Sequence, residues 1–224
     1  MSTTTYGREE SAILKIETAG SVVEAATGIA VIVLAIIGLA HADSSFFGSI
    51  GAIVLGAALL AQGGAVAAEY SKLLSMISGG ALGAIELGAG MSVEILAGGA
   101  MIVLGILGLL GFYPATLLAS GVIVIGAALV LAANGLARLA TLKGEAAGLS
   151  ELAQRVAEAA LAGAVTAQVL AGGAAVVLGI LALTMTGRSD VLALVGLLVL
   201  GAAVAVSGTA LTGRMLRLFN LRQL

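Results

Sequence analysis

Gly90-Met91-Ser92-Val93-Glu94-Ile95-Leu96-Ala97-Gly98-Gly99-Ala100-Met101-Ile102-Val103-Leu104-Gly105 is an apolar, glycine-rich stretch with a single carboxylate inside it. The chain carries it three times: around Glu24 from Gly20 to Leu34, around Glu94, and around Gln168 from Ala164 to Leu178. Each copy sets a small residue, a long polar residue and a glycine four apart: Gly20, Glu24, Gly28; Gly90, Glu94, Gly98; Ala164, Gln168, Gly172. Positions four apart share a helix face, so each copy presents a narrow stripe with one polar group in it.

The composition excludes an ordinary soluble domain. Hydrophobic residues make up 60% and charged residues 10% of the chain, and the mean hydropathy is +1.19, whereas soluble domains are about a quarter charged. The uncharged runs Ser44 to Ala68, Ile95 to Ala137, Ala159 to Gly187 and Val191 to Gly213 reach or exceed the roughly 20 residues that a helix needs to cross the hydrocarbon. They are continuous and not alternating, which points to helices and away from barrel strands. Glu17 and Glu24 in the first apolar stretch, with a further crossing after it, do not fit a cleaved signal, so the N-terminus is expected to stay on the protein. Cysteine and tryptophan are absent and there are only three tyrosines, so thiol chemistry is excluded and the aromatic interface belt is thin. There is no basic patch with aromatic platforms, and no nucleic-acid partner is expected.

The expected organisation is an all-α integral membrane protein with six transmembrane helices in three tandem hairpins. A polar tail, 1–17, precedes hairpin 1 at 18–72, which turns at His41 to Ser45. The apolar piece Leu73 to Ile85 is too short to cross, so 73–86 is read as an interfacial connection. Hairpin 2 spans 87–137 and turns at Gly111-Phe112-Tyr113-Pro114, with Pro114 suited to a first helical position. A charged connection with a surface helix opening at Ser150-Glu151 fills 138–161, hairpin 3 spans 162–213, and 214–224 is a basic tail.

Spacing supports the repeat. Glu24 to Gly56 and Glu94 to Gly126 are both 32 residues, and Gln168 to Gly201 is 33. The second landmark is itself shared, as Gly51-Ala52-Ile53-Val54-Leu55-Gly56, Gly121-Val122-Ile123-Val124-Ile125-Gly126 and Gly196-Leu197-Leu198-Val199-Leu200-Gly201. Three hairpins entering in the same direction imply a pseudo-threefold axis along the membrane normal. Of the ten basic residues only Arg188 falls among the short turns, so the termini are expected in the cytoplasm of a bacterial inner membrane.

Small and polar residues carry the remaining information. Gly28, Gly56, Gly98, Gly126, Gly172 and Gly201 read as packing surfaces, because helices in lipid associate through close backbone approach. No cofactor is expected, although such flat faces would also accept a lipid or a pigment. Counted from Thr18, Glu24 stands about 9 Å inside the first crossing at ~1.5 Å per residue. In a three-repeat bundle Glu24, Glu94 and Gln168 come to one level near the cytoplasmic side. If they meet at the axis they can share a proton or bind a cation; if not, each caps or bonds to a neighbouring helix. His41 and Asp43 share the first turn but fall short of a metal site, and Gln62, Asn134 and Ser207 read as local interhelical hydrogen bonds. There is no nucleotide loop, paired-histidine signature or nucleophile elbow, so an enzyme is not expected.

The phrases Leu96 to Leu110 and Ser120 to Leu131, separated by a short proline-containing turn, resemble the hairpins of the HdeD-like family of small bacterial membrane proteins. The resemblance implies six helices and an association with acid resistance, and it supplies no catalytic motif. The function expected from these features is a non-catalytic scaffold or accessory subunit, with membrane lipids and other membrane subunits, or further copies of itself, as partners. The alternative is a small ion channel or proton-coupled transporter built on Glu24, Glu94 and Gln168.

Overall fold

A backbone surrounded by hydrocarbon has no water to bond, so each apolar run closes its own N–H and C=O groups as a helix. The computed structural model describes residues 23–41, 43–76, 81–146, 151–185 and 187–221, with side-chain surroundings for 23–64, 93–133 and 163–207 apart from 42, 164 and 186. It contains helices α1 (Val23–Ala40), α2 (Ser44–Met76), α3 (Ala81–Leu109), α4 (Pro114–Ala146), α5 (Glu151–Thr184) and α6 (Ser189–Leu221). Five of these hold spans apolar and long enough to cross a membrane, and α3 adds the apolar stretch Val93–Leu109. The chain is therefore a multi-pass helical membrane protein.

The turns follow local chemistry. After α3, Phe112 N–H bonds to Leu107 O and Gly111 N–H to Gly108 O, both at 3.1 Å. This is a helix stop that needs a left-handed residue, and Gly111 supplies it with φ +85°. Pro114 then opens α4, as its fixed φ and missing N–H favour. Gly187, with φ +93°, serves the turn before α6. In the first turn His41 Nδ1 lies 3.1 Å from Ile37 O and its ring packs against Phe47, which gives this histidine a helix-ending role.

The helices run further than the sequence reading placed them. The stretch read as an interfacial piece is divided between the end of α2, which continues through Glu69-Tyr70-Ser71-Lys72 to Met76, and the start of α3 at Ala81. The charged segment 138–161 is likewise shared: α4 extends to Ala146, and α5 starts at Glu151, where a helix was expected, but continues without a break into the membrane span. Nothing between Leu152 and Leu161 stops a helix, and charge alone does not. Arg214 and Arg217 ride on α6 instead of a separate tail. The tail 1–17 and the chain's last three residues lie outside the described residues.

Packing divides the helices into two groups. The second helix of each hairpin, α2, α4 and α6, touches the other two, while α3 lies against α2 and α4, and α5 against α4 and α6. Helix α1 completes the circuit, with Gly28 against α6 and with Gly38 against both Leu194 and Phe47. Burial follows the repeat. On the first helices Val31, Met101 and Ala175, each seven residues after the polar landmark, are all 0% exposed. On the second helices the buried positions fall in threes: Ala52, Val122 and Leu197; Leu55, Ile125 and Leu200; Leu59, Leu129 and Val204. These nine aliphatic residues belong to one continuous cluster along the middle of the bundle.

Candidate functional site

The six landmark glycines meet in pairs, and the pairs lie between repeats. A Cβ on Gly56 would stand 2.6 Å from Gly98 O, and one on Gly98 would stand 2.7 Å from Gly56 O. Gly126 and Gly172 are opposed in the same way, with 2.6 Å in both directions. The third pair joins the ends of the chain: a Cβ on Gly28 would meet Gly201 O at 2.7 Å, and one on Gly201 would meet Gly28 O at 3.1 Å. Real Cβ atoms essentially never come within 3.0 Å of a neighbouring heavy atom and seldom as near as 3.1 Å, so these helices touch backbone to backbone because both partners lack a side chain. The second-helix glycine of each repeat thus binds the first-helix glycine of the next, and the last repeat binds the first. This recurrence is the internal repeat expressed as contacts.

One helical turn further from the hairpin turns, the same three interfaces carry the polar positions. On α1, Glu24 is half-buried, and its Oε1 lies 2.6 Å from Ser207 Oγ on α6. The hydroxyl also lies 2.9 Å from Val204 O, and the shorter, charged acceptor takes the stronger share of its one proton. On α3, Glu94 is 5% exposed. Its Cβ lies 3.6 Å from where a side chain on Gly63 would begin. Glu94 Oε1 is sealed from solvent with no hydrogen-bond partner among the described residues. Its burial is thus not offset by any described donor to that oxygen.

Gln168 on α5 is half-buried and lines a cavity of about 50 Å³ with Gln62 of α2, Ser207 of α6, Leu129 and Val204. The three sequence candidates stand on the first helices, each at the contact with a second helix of a neighbouring repeat: Glu24 bonds to Ser207 of α6, Glu94 lies by Gly63 of α2, and Gln168 shares the cavity with Leu129 of α4. Glu24 takes the alternative expected for it, a bond across a helix pair. Ser207 makes an interhelical hydrogen bond, as read from the sequence, and Gln62 joins it at the cavity. Both follow their landmark glycine by six positions, which puts them at equivalent heights facing the neighbouring repeat, and the matching position in the remaining repeat is Ala132, 5% exposed. The side chain of Asn134 lies outside the described residues.

The cavity is shallow along the bundle. Its floor includes Leu129 and Val204, which with Leu59 form the first of the three aliphatic layers. Beyond it the layers of Leu55, Ile125 and Leu200 and of Ala52, Val122 and Leu197 fill the middle. No family model matches this chain, and no curated protein or solved structure is similar to it. Fold and contacts alone define it, as a multi-pass helical membrane protein built on an internal repeat.

Proposed function

We propose that this chain is a non-catalytic membrane scaffold or accessory subunit. Its six crossings are three tandem hairpins about a pseudo-threefold axis in a bacterial inner membrane, with both termini cytoplasmic, and it packs within a larger assembly or organises the bilayer around it. The observation that carries this reading is the aliphatic filling of the bundle: nine buried residues in three layers stand between the polar cavity at one end and the turns, and the buried Ser49 nearer the turns donates its hydroxyl to Ser45 O of its own helix. A conducting path needs polar or hydrated lining, and a packed core supplies neither. That nine of the ten basic residues fall outside the short turns in the sequence supports the orientation. The HdeD-like phrases carry a stress-related role as part of the same proposal.

A second reading rests on one atom. The unpartnered Oε1 of the buried Glu94 is an arrangement in which a cation, or a proton carried on the carboxyl, would supply the missing partner. That favours an ion- or proton-handling protein entered from the end opposite the turns.

Reconstitution separates the two. Liposomes containing the purified chain, loaded with a pH-sensitive dye and with sodium, potassium or chloride gradients, are expected to show no flux above protein-free liposomes, and native nanodiscs are expected to retain a stoichiometric partner or further copies. A flux that is lost on Glu94→Gln, in a variant with unchanged helical content, overturns the scaffold and establishes the second reading.

A further inference from the structure

At the end of the bundle that carries the turns, the first and third hairpins enclose a cavity of about 290 Å³. Its polar lining comes from both: His41 and Ser44 from the turn into α2, and Arg188, Ser189 and Asp190 from the turn into α6. Arg188 is exposed and makes no side-chain contact with Asp190 among the described residues, although the two lie two positions apart on the same rim. Asp190 Oδ1 is sealed from solvent and has no hydrogen-bond partner among the described residues. A carboxylate oxygen in that state is costly unless a donor reaches the group, and a fixed cation that does not pair with it leaves both charges available. The rest of the wall is apolar. Leu194 is fully buried, whereas Leu39 and Val191 are 39% and 51% exposed on the outer surface of the bundle.

We propose that this cavity binds a zwitterion carrying an oxyanion and an N–H-bearing ammonium group, supplied in the membrane by an aminophospholipid headgroup. The guanidinium of Arg188 takes the phosphate, which it matches in charge and fork geometry. Asp190 takes the ammonium through its N–H groups. His41, whose Nδ1–H is engaged by Ile37 O, presents its other ring nitrogen as a further acceptor. The acyl chains then lie along Leu39 and Val191, where the cavity opens to the hydrocarbon. The second hairpin's turn, Gly111-Phe112-Tyr113-Pro114, has no charged residue, so the site occurs once per chain. A choline headgroup has the same phosphate and charge but no N–H, so it cannot donate a hydrogen bond to the carboxylate.

The experiment is native mass spectrometry of the full chain released from micelles doped with phosphatidylethanolamine, phosphatidylcholine or phosphatidylglycerol, with soluble phosphoethanolamine as a separate arm. One phosphatidylethanolamine is expected per chain, held about tenfold or more tightly than phosphatidylcholine, with the preference lost in Asp190→Asn and binding of all phospholipids weakened in Arg188→Gln. Circular dichroism checks that each variant keeps its helices, and either variant alone suffices if the other does not fold. Equal retention of ethanolamine and choline lipids, or a preference unchanged in the folded variants, overturns the proposal. Binding of soluble phosphoethanolamine without retention of the lipid overturns the assignment to a headgroup.

Discussion

Ser207 and Glu24, 183 residues apart in the chain, are joined by a hydroxyl-to-carboxylate hydrogen bond of 2.6 Å. It lies beside the contact of Gly28 with Gly201 and ties the last helix to the first, so it fastens the one inter-repeat interface that no covalent link supports. Removing the donor leaves a half-buried carboxylate without it. Ser207→Ala is expected to cost about 1–2 kcal/mol, read as a lowered midpoint of thermal unfolding in detergent. The double variant with Glu24→Gln should lose less than the sum of the single losses, since the two side chains act on each other. Additive losses would show that the bond contributes nothing.

Adjacent glycines offer an internal control. A methyl group on Gly98 would collide with Gly56 O at 2.7 Å, whereas one on Gly99 would meet nothing within 4 Å. Gly98→Ala should therefore force α2 and α3 apart at a cost of about 1–3 kcal/mol, while Gly99→Ala should be neutral or stabilising by up to about 1 kcal/mol through helix propensity. The same contrast is expected of Gly172 and Gly173. Unfolding midpoints of the four single variants check it, and equal effects within a pair would contradict the packing assignment.

The aliphatic layers should behave as a core. Leu200, 0% exposed, is expected to lose about 2–5 kcal/mol on replacement by alanine, and the space left should be dry because every neighbour in its layer is apolar. Val177, 56% exposed on the outer face of α5, should tolerate alanine with a change of less than about 0.5 kcal/mol. Thermal unfolding measures both, and a proton-flux assay on the folded Leu200→Ala variant should remain at background.

Much of this architecture was legible in the sequence, because both hairpin helices carry landmarks at nearly fixed spacing and each landmark glycine has a steric purpose that depends on backbone alone. The identity of the partners was not legible. Gly56 and Gly98 look alike in composition, and nothing local says that a second-helix glycine meets the next repeat instead of its own; that follows from which helices occupy the middle. The same missing information left open whether Glu24, Glu94 and Gln168 meet at the axis or bond to a neighbouring helix; Glu24 bonds to Ser207 of α6, and Leu55, Ile125 and Leu200 are buried in the middle of the bundle. Helix ends were misplaced for a different reason. Glu69 to Lys72 and Arg138 to Glu158 interrupt the apolar runs, but alanine, leucine, lysine and glutamate are good helix formers, so α2 runs on to Met76, α4 runs on to Ala146 and α5 begins at Glu151.

The glycine pairing also fixes a limit on how many hairpins the architecture takes. Each hairpin bears two unlike faces, one offered by its first helix and one by its second, and each face recognises the opposite kind on a neighbour. Such a head-to-tail contact does not stop by itself; it stops only when the rotation per unit brings the last face back to the first. Gly28 against Gly201 is that return. Together with Gly56 against Gly98 and Gly126 against Gly172, it leaves none of these glycine faces open among the described residues.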